Sequence, residues 1–283
     1  MTKEENTYIF DTESAVEMAR LINQGRIITV AMGGPLSGIP ALPVRAQIID
    51  LGCGPGGWVL DVAYANPDAE VAGVDISKTM IDYANARARS QQLTNASFGV
   101  MDIRQPLDFS DASFDLVNAR LLVAALRREN WEPFLAECTR ILKPGGTLRF
   151  TEPIDFGVTN SGAHERVMAL LSQALWKSGY GFSIDGRTYG MTNTLPHMFR
   201  DANYQQVRCI GHILEFSADE DAWQDMYSNY QAGVNVAPPL YVKAGLGTTE
   251  EIVQLYQQVL LEMLSPGFRG TWHLVSVLGK KPD

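Results

Sequence analysis

"IIDLGCGPGGW", residues 48–58, is the stretch on which the reading of this chain turns. An apolar run is interrupted by Asp50 and gives way to glycines at 52, 54, 56 and 57. A short apolar run bounded by turn residues reads as a buried strand. Glycines then let the backbone turn tightly and come close to a ligand. Gly52, Gly54 and Gly57 also have the Gly-x-Gly-x-x-Gly spacing of dinucleotide-binding loops, so the loop alone leaves its ligand undecided.

Outward from this loop the chain alternates between strand-like and helix-like segments. "AQIIDL" leads into the glycines and a helix to about Asn66; "EVAGVDI" is followed by a helix that Ser77 can N-cap, running to about Gln91. "ASFGVMDI" and "SFDLVNA" are the next strands. A helix from Trp131 to Leu142 then meets the stop signal "KPGG" ahead of the strand "TLRFTEP". This rhythm predicts an α/β fold with a doubly wound parallel sheet, Rossmann-like in plan.

Beyond it, helices are expected over Ala163–Lys177 and Thr194–Ala202, with "QVRCIGHILEFS" and "TWHLVSVLGKK" as the last strands. About fifty residues separate those two strands, far more than the 2–5 of a hairpin loop. The insertion, about 217–269, carries Trp223, Met226, Tyr227 and Tyr230 on one helical pattern. Ile252, Tyr256, Val259, Leu260 and Met263 lie on another. At the other end, a helix over Thr12–Gln24 with a modest apolar stripe precedes the irregular "MGGPLSGIPALP". The expected organisation is an N-terminal helical arm or lid (1–45) and a ligand-binding core (46–160). The remainder of the core (161–283) carries the helical lid insertion.

A chain of 283 residues, 46% hydrophobic and 19% charged, is an ordinary globule with material for a sizeable core. Its formal charge of −9 disfavours a general grip on nucleic acid or on anionic membrane. The three cysteines, Cys53, Cys138 and Cys209, have neither metal nor disulfide spacing. No signal peptide and no membrane span are read, so a cytoplasmic location is expected.

In open parallel sheets ligands bind at the carboxyl ends of the strands. Those ends carry Asp50, Asp75, Asp102 and Asn118. A dinucleotide would account for Asp75 as a ribose ligand, but its pyrophosphate would be repelled by Asp50. An adenosine carrying a cationic tail fits all the acids. Taken singly, a glycine marks a turn and an Asp after a strand caps a helix; the ordered set says more. "DLGCGPG", "VAGVDIS", "GVMDI", "FDLVNARLL" and "LKPGGTLRFTE" resemble the successive motifs of class I S-adenosylmethionine-dependent methyltransferases, over roughly residues 46–152.

The resemblance implies a seven-stranded, mostly parallel sheet with the last strand antiparallel, and S-adenosylmethionine as cofactor with S-adenosylhomocysteine as product. It places Gly52, Gly54 and Gly56 against the methionine part and Asp50 at the loop or the α-amino group. Asp75 would hold the ribose hydroxyls, with Ile76 on the adenine. Asp102 would accept from the adenine amine between Met101 and Ile103, and Asn118 and Ala119 would offer backbone. The chain is broadly similar to ubiquinone/menaquinone C-methyltransferases and natural-product enzymes of this family.

Within that resemblance, "NARLL" lacks the Asn/Asp-Pro-Pro-aromatic motif of base and glutamine methylation. Asn118 also stands where catechol-type enzymes bring acidic metal ligands, so no metal is expected. What is left is a small, hydrophobic organic acceptor such as an isoprenoid, polyketide or other secondary metabolite. It would be enclosed by aromatics and methionines including Tyr8, Phe10, Tyr189, Trp223, Tyr227 and Tyr230. Tyr8, Arg120, Tyr189 and Tyr227 are the candidate substrate contacts, and Arg26 could meet the cofactor carboxylate. His164 and Glu152 are the candidate bases, ahead of His197 and Tyr8. The alternative is a cyclase or pericyclase on the same fold, using the sulfonium as a fixed charge without methyl transfer. A non-catalytic binding module and a nicotinamide oxidoreductase are further competitors. No nucleic-acid partner is expected, and the oligomeric state is open, a homodimer included.

Overall fold

The computed structural model describes residues 14–283. Its sheet grows from β1 (Gln47–Leu51), which pairs in parallel with β2 (Glu70–Asp75) on one side and β4 (Phe114–Arg120) on the other. β3 (Ala96–Val100) lies outside β2, and β5 (Leu142–Pro153) lies outside β4, both parallel. The chain order therefore reverses between β1 and β4, and the glycine loop opens at that switch point.

Beyond β5 the last strand, β8 (Gly270–Lys280), runs antiparallel to it, and β7 (Gln205–Glu215) pairs antiparallel on the far edge of β8. The mostly parallel sheet with an antiparallel last strand is as expected. A two-residue β6 (Val158–Thr159) adds an eighth strand by pairing with the start of β8.

Helices cover both faces. α2 (Gly57–Ala65) packs with Ile48 and Leu116 on one side; α4 (Trp131–Ile141) sits on the other, where Trp131 and Phe134 meet Phe150 at ring separations of 6.0 and 5.4 Å. Ser77 does cap α3 (Lys78–Ser90), its hydroxyl accepting from the Met80 N–H. "KPGG" is not a loop: β5 begins as α4 ends, and the two glycines kink the strand while the Gly145 N–H bonds the Lys281 carbonyl. The pairing with β4 shifts register at that kink.

The N-terminal helix, α1 (Ala15–Ala31), runs past the Gln24 expected from the sequence. Its apolar stripe is weak because its buried face carries Glu17, Arg20 and Gln24 beside Ile27 and Ile28. α5 (Gly162–Lys177) and α6 (Met191–Asp201) fall close to the expected ranges. The insertion folds into α7 (Trp223–Val236), the short α8 (Pro238–Lys243) and α9 (Thr249–Met263), the last opened by a Thr248–Glu251 capping box. α7 packs on α1 and α9, and α5 packs on α9. No helix among the described residues is long and apolar enough to cross a membrane.

Gly56 caps α2 with φ of 78°, and a Cβ there would meet the Phe98 ring at 2.6 Å and the Ala84 Cβ at 2.8 Å. Gly56→Ala should therefore cost about 2 kcal/mol, measurable by urea unfolding, from left-handed strain plus overpacking between α3 and β3.

Candidate functional site

One cavity opens over the carboxyl ends of β1, β2 and β4 and continues beneath α1, α5, α7 and α9. At the sheet end its wall is the glycine loop, Asp75 and Ile76, the segment Met101–Arg104, and Arg120 to Leu126. Further in, Pro153, Phe156, Met168, Leu171, Leu175, Tyr189, Tyr230 and Tyr256 make it mainly apolar. α1 closes it with Arg20, Gln24 and Ile28.

The loop is braced by the acid one strand away. Asp75 accepts from the Gly54 N–H and the Ser77 N–H, both at 2.9 Å. Burial still raises its pKa, against those bonds. Gly54 has φ of 52° and nothing within 4 Å of where a Cβ would stand, so the loop leaves open space at the cavity mouth. A Cβ on Gly52 would strike Leu122 at 2.8 Å. Gly56 lies outside the wall and serves packing instead.

Asp50 heads a polar ladder across three strands. It is in register with Asn118, and Asn118 with Arg149, so the three side chains leave the sheet on one face. The Asn118 amide donates to Asp50 at 2.6 Å, and the Arg149 Nε donates to Asn118 at 2.7 Å. Arg149 also donates to the Pro35 carbonyl at 2.8 Å and lies over the Trp58 ring at 5.4 Å. The irregular arm is thereby tied to the site. Burial pushes Asp50 up to about 6, opposed by Arg120, Asn118 and Arg149. Arg149 is pushed down to about 9 by burial and by Arg120. The Asn118 side chain is thus used inside the sheet, and Ala119 is buried; neither is in the cavity wall. Arg149 is the member that the sequence reading missed.

Asp102 is in the wall, but its carboxylate is held by Arg104, whose Nη2 donates at 2.7 Å and Nε at 2.9 Å. Burial would raise its pKa; the hydrogen bonds from Arg104 outweigh that and lower it. These charge-assisted bonds from two residues away fix the orientation of the carboxylate at the wall. Met101, Ile103 and Ile76 do line the cavity beside it.

Glu152 is fully buried and outside the wall. Its oxygens accept from the Leu122 N–H at 2.6 Å and the Val123 N–H at 3.1 Å, capping the short 3-10 turn after β4. Burial pushes it up to about 8 against the pull of those donors. A carboxyl raised in the folded state binds a proton there that the unfolded chain releases. Its contribution is complete below the unfolded pKa near 4.5 and is lost as pH rises through about 8. The urea midpoint should fall between pH 5 and 8, with a slope of at most about 1.4 kcal/mol per pH unit from this group. Glu152→Gln should flatten that slope.

His164 is buried behind the wall, its Nε2 at 2.5 Å from the Tyr230 hydroxyl. Burial pushes it down to about 4, against the field of Asp155, so the ring is neutral near pH 7. Arg120 lines the cavity and donates to the Thr29 hydroxyl of α1 at 3.0 Å. Tyr189 is in the wall; Tyr227 is stacked on Trp223 at 4.9 Å, outside it. Arg26 pairs with Asp225 of α7, away from the cavity. From α1 it is Arg20 that reaches inward, forked onto the Glu17 carboxylate at 2.7 Å and bonded to Asn229 of α7 at 3.4 Å. The signal for it was the spacing of Glu17, Arg20 and Gln24 on one helical face. Tyr8 and Phe10 lie outside the described residues. No group of three or more His, Cys, Asp or Glu among the described residues is placed to hold a metal ion.

Residues 48–146 match the family described as "Methyltransferase domain". The chain is 27% identical over 254 residues to trans-aconitate 2-methyltransferase of Streptomyces avermitilis, covering 83% of this chain and 84% of that one. It is 33% identical over 161 residues to trans-aconitate 2-methyltransferase of Deinococcus radiodurans, spanning 56% of this chain and about half (55%) of the relative. A Haemonchus contortus phosphoethanolamine N-methyltransferase 2, solved with phosphomonomethylethanolamine and S-adenosylhomocysteine, shares the fold. Its TM-score is 0.58 at 15% identity, over 96% of this chain and 59% of that one.

Proposed function

Because the chain is a class I S-adenosylmethionine-dependent methyltransferase, we propose that it methylates a small, apolar acceptor held between the β5 end and the helices α5, α7 and α9. The observation that carries this is the wall of the inner cavity. It is built from Pro153, Phe156, Met168, Leu171, Leu175 and tyrosines, while three arginines of the wall are engaged by this chain's own acids: Arg20 is forked onto Glu17, Arg104 onto Asp102, and Arg120 lies at the sheet end in the field of Asp50 and Asp61. The trans-aconitate enzymes are named for a tricarboxylate; three carboxylates taken from water need cations free to pair with them. An apolar acceptor needs area and a few hydroxyls.

The cofactor end fits. Bound S-adenosylmethionine supplies an electrophilic methyl group. In this reading the open space at Gly54 admits the methionine part, Asp75 holds the ribose diol, and Ile76, Met101 and Ile103 enclose the adenine. Arg104, held by Asp102, closes the end of that slot. Asp50, kept in place by Asn118 and Arg149, puts negative potential beside the cationic tail. Gly56, Ala119 and the Asn118 side chain act in packing and support. The arm (1–45) and the insertion (217–269) serve as lid, with the core on 46–160. Their contact is α1 on α7, through Arg20 and Asn229. The chemistry on the acceptor side is positioning: the wall holds the nucleophile in line and excludes water.

The test is incubation with methyl-labelled donor and two acceptor sets, apolar phenols and isoprenoid alcohols against tricarboxylates, following S-adenosylhomocysteine release. Transfer to the apolar set supports the reading. Transfer confined to tricarboxylates overturns it. An acceptor converted without donor consumption would identify the cyclase instead.

A further inference from the structure

We infer that Tyr230, His164 and Glu165 form a proton exit that leads from the acceptor pocket to solvent, and hence that the acceptor carries a hydroxyl whose proton must leave. This rests on the methyl-transfer reading above. Tyr230 is in the cavity wall, and its hydroxyl sits between the His164 Nε2 at 2.5 Å and the carbonyl of Phe156, another wall residue, at 3.4 Å. His164 is fully buried at the first turn of α5, where its N–H bonds the capping Ser161 hydroxyl.

Tyr230 has one proton for two acceptors, the Phe156 carbonyl at 3.4 Å and the His164 Nε2 at 2.5 Å; the relay takes it to the nearer Nε2, and the neutral ring then carries its own proton on Nδ1. That atom has no hydrogen-bond partner and lies 3.6 Å from the Glu165 carboxylate. An unpartnered buried polar atom costs about 1–3 kcal/mol, a cost that a ring serving only to pack against Tyr230 and Phe216 would avoid as leucine or phenylalanine. The Glu165 side chain is 52% exposed and is anchored by the Thr159 N–H. The three residues thus run from pocket wall, through a buried imidazole, to a carboxylate in water. The other ionisable groups whose fields reach the pair are Asp155, which acts on both, and Tyr189 and Tyr256, which act on Tyr230.

The step balances. The acceptor O–CH3 bond forms as the donor S–CH3 bond breaks, its electron pair staying on sulfur. The acceptor O–H proton passes to the Tyr230 oxygen, the Tyr230 proton to the His164 Nε2, and the Nδ1 proton to Glu165 and then water. Tyr230 is the catalytic residue here; His164 and Glu165 act through it.

The probe is 4-nitrophenol, whose ionisation is visible, bound with saturating S-adenosylhomocysteine to wild type, Tyr230→Phe, His164→Gln and Glu165→Gln. Bound nitrophenol should ionise about one pH unit higher in Tyr230→Phe and His164→Gln than in wild type. Nitrogen NMR of His164 should show an Nδ1–H ring in wild type whose Nε2 signal moves in Tyr230→Phe. In methyl transfer to phenols of graded acidity, both variants should lose about 10²–10³-fold for the least acidic phenol. The loss should shrink towards none for 4-nitrophenol, which is already ionised, and be smaller throughout in Glu165→Gln. An ionisation unmoved by Tyr230→Phe, or a loss uniform across the phenols, overturns the relay and leaves the methyltransferase reading standing. Wild type that binds neither probe nor S-adenosylhomocysteine overturns both.

Discussion

Asp75→Ala should lower the affinity for S-adenosylhomocysteine by at least ~100-fold, read by calorimetry on folded protein. Two effects act together. In the proposed complex the carboxylate takes charge-assisted hydrogen bonds from both ribose hydroxyls, each worth about 1.5–3 kcal/mol. In the free protein the same group accepts from the Gly54 and Ser77 N–H groups, so its removal loosens the loop and the α3 start. Asp75→Asn keeps one acceptor oxygen and should fall between the two. An affinity for Asp75→Ala within threefold of wild type would remove Asp75 from the ribose site and leave it as a loop brace alone.

Arg149→Ala should cost stability before it costs binding. The guanidinium serves Asn118, the Pro35 and Ser37 carbonyls and the Trp58 face at once. Its loss leaves Asp50 buried with Arg120 as its remaining cation. Removing one partner of a buried ionic network costs about 3–5 kcal/mol, which lowers the thermal midpoint of a chain this size by roughly 10 °C. The double variant Asp50→Asn with Arg149→Met removes both charges and fills the space. It should recover most of that loss, since an apolar replacement of both partners is often neutral. A single variant as stable as wild type would mean that water, rather than the ladder, solvates Asp50.

Both results bear on how far the residues alone could be read. β1 to β5 were legible because each is a short apolar run with an acid or a turn at its carboxyl end, and such runs fold as buried strands almost regardless of their neighbours. The cavity mouth was legible for the same reason: Gly52, Gly54, Asp75, Ile76, Met101 and Ile103 lie at strand ends, and strand ends in this topology meet at one edge. Asp50 and Asn118 were placed at that edge too. Asp50 accepts from Asn118, and Asn118 from Arg149, whose position opposite Asn118 depends on the register of β4 against β5. That register is set after the Gly145–Gly146 kink, which the string shows only as a stop signal.

The helices around the cavity were the least legible in the sequence. α1 was expected to end near Gln24 because its apolar stripe fades, whereas its inner face buries Glu17, Arg20 and Gln24 against α7, some two hundred residues away. Periodicity counts apolar residues and cannot see a polar face that finds its partners across the fold. The same holds for His164. Its spacing after β5 made it a candidate base, but only the packing of α7 on the far side of the pocket brings Tyr230 to its Nε2. The pairing of β5 beside β4 decides that Glu152, read as the other candidate, caps the turn after β4.

Local pattern was therefore sufficient for the sheet, the switch point and the cofactor chemistry, all of which follow from hydrophobic runs and from residue types at fixed offsets along the chain. Tertiary structure alone decided which polar side chains face the cavity and which satisfy one another. A buried charge or hydrogen-bonding group must find a partner wherever the fold supplies one, and that partner lies at no fixed distance in sequence.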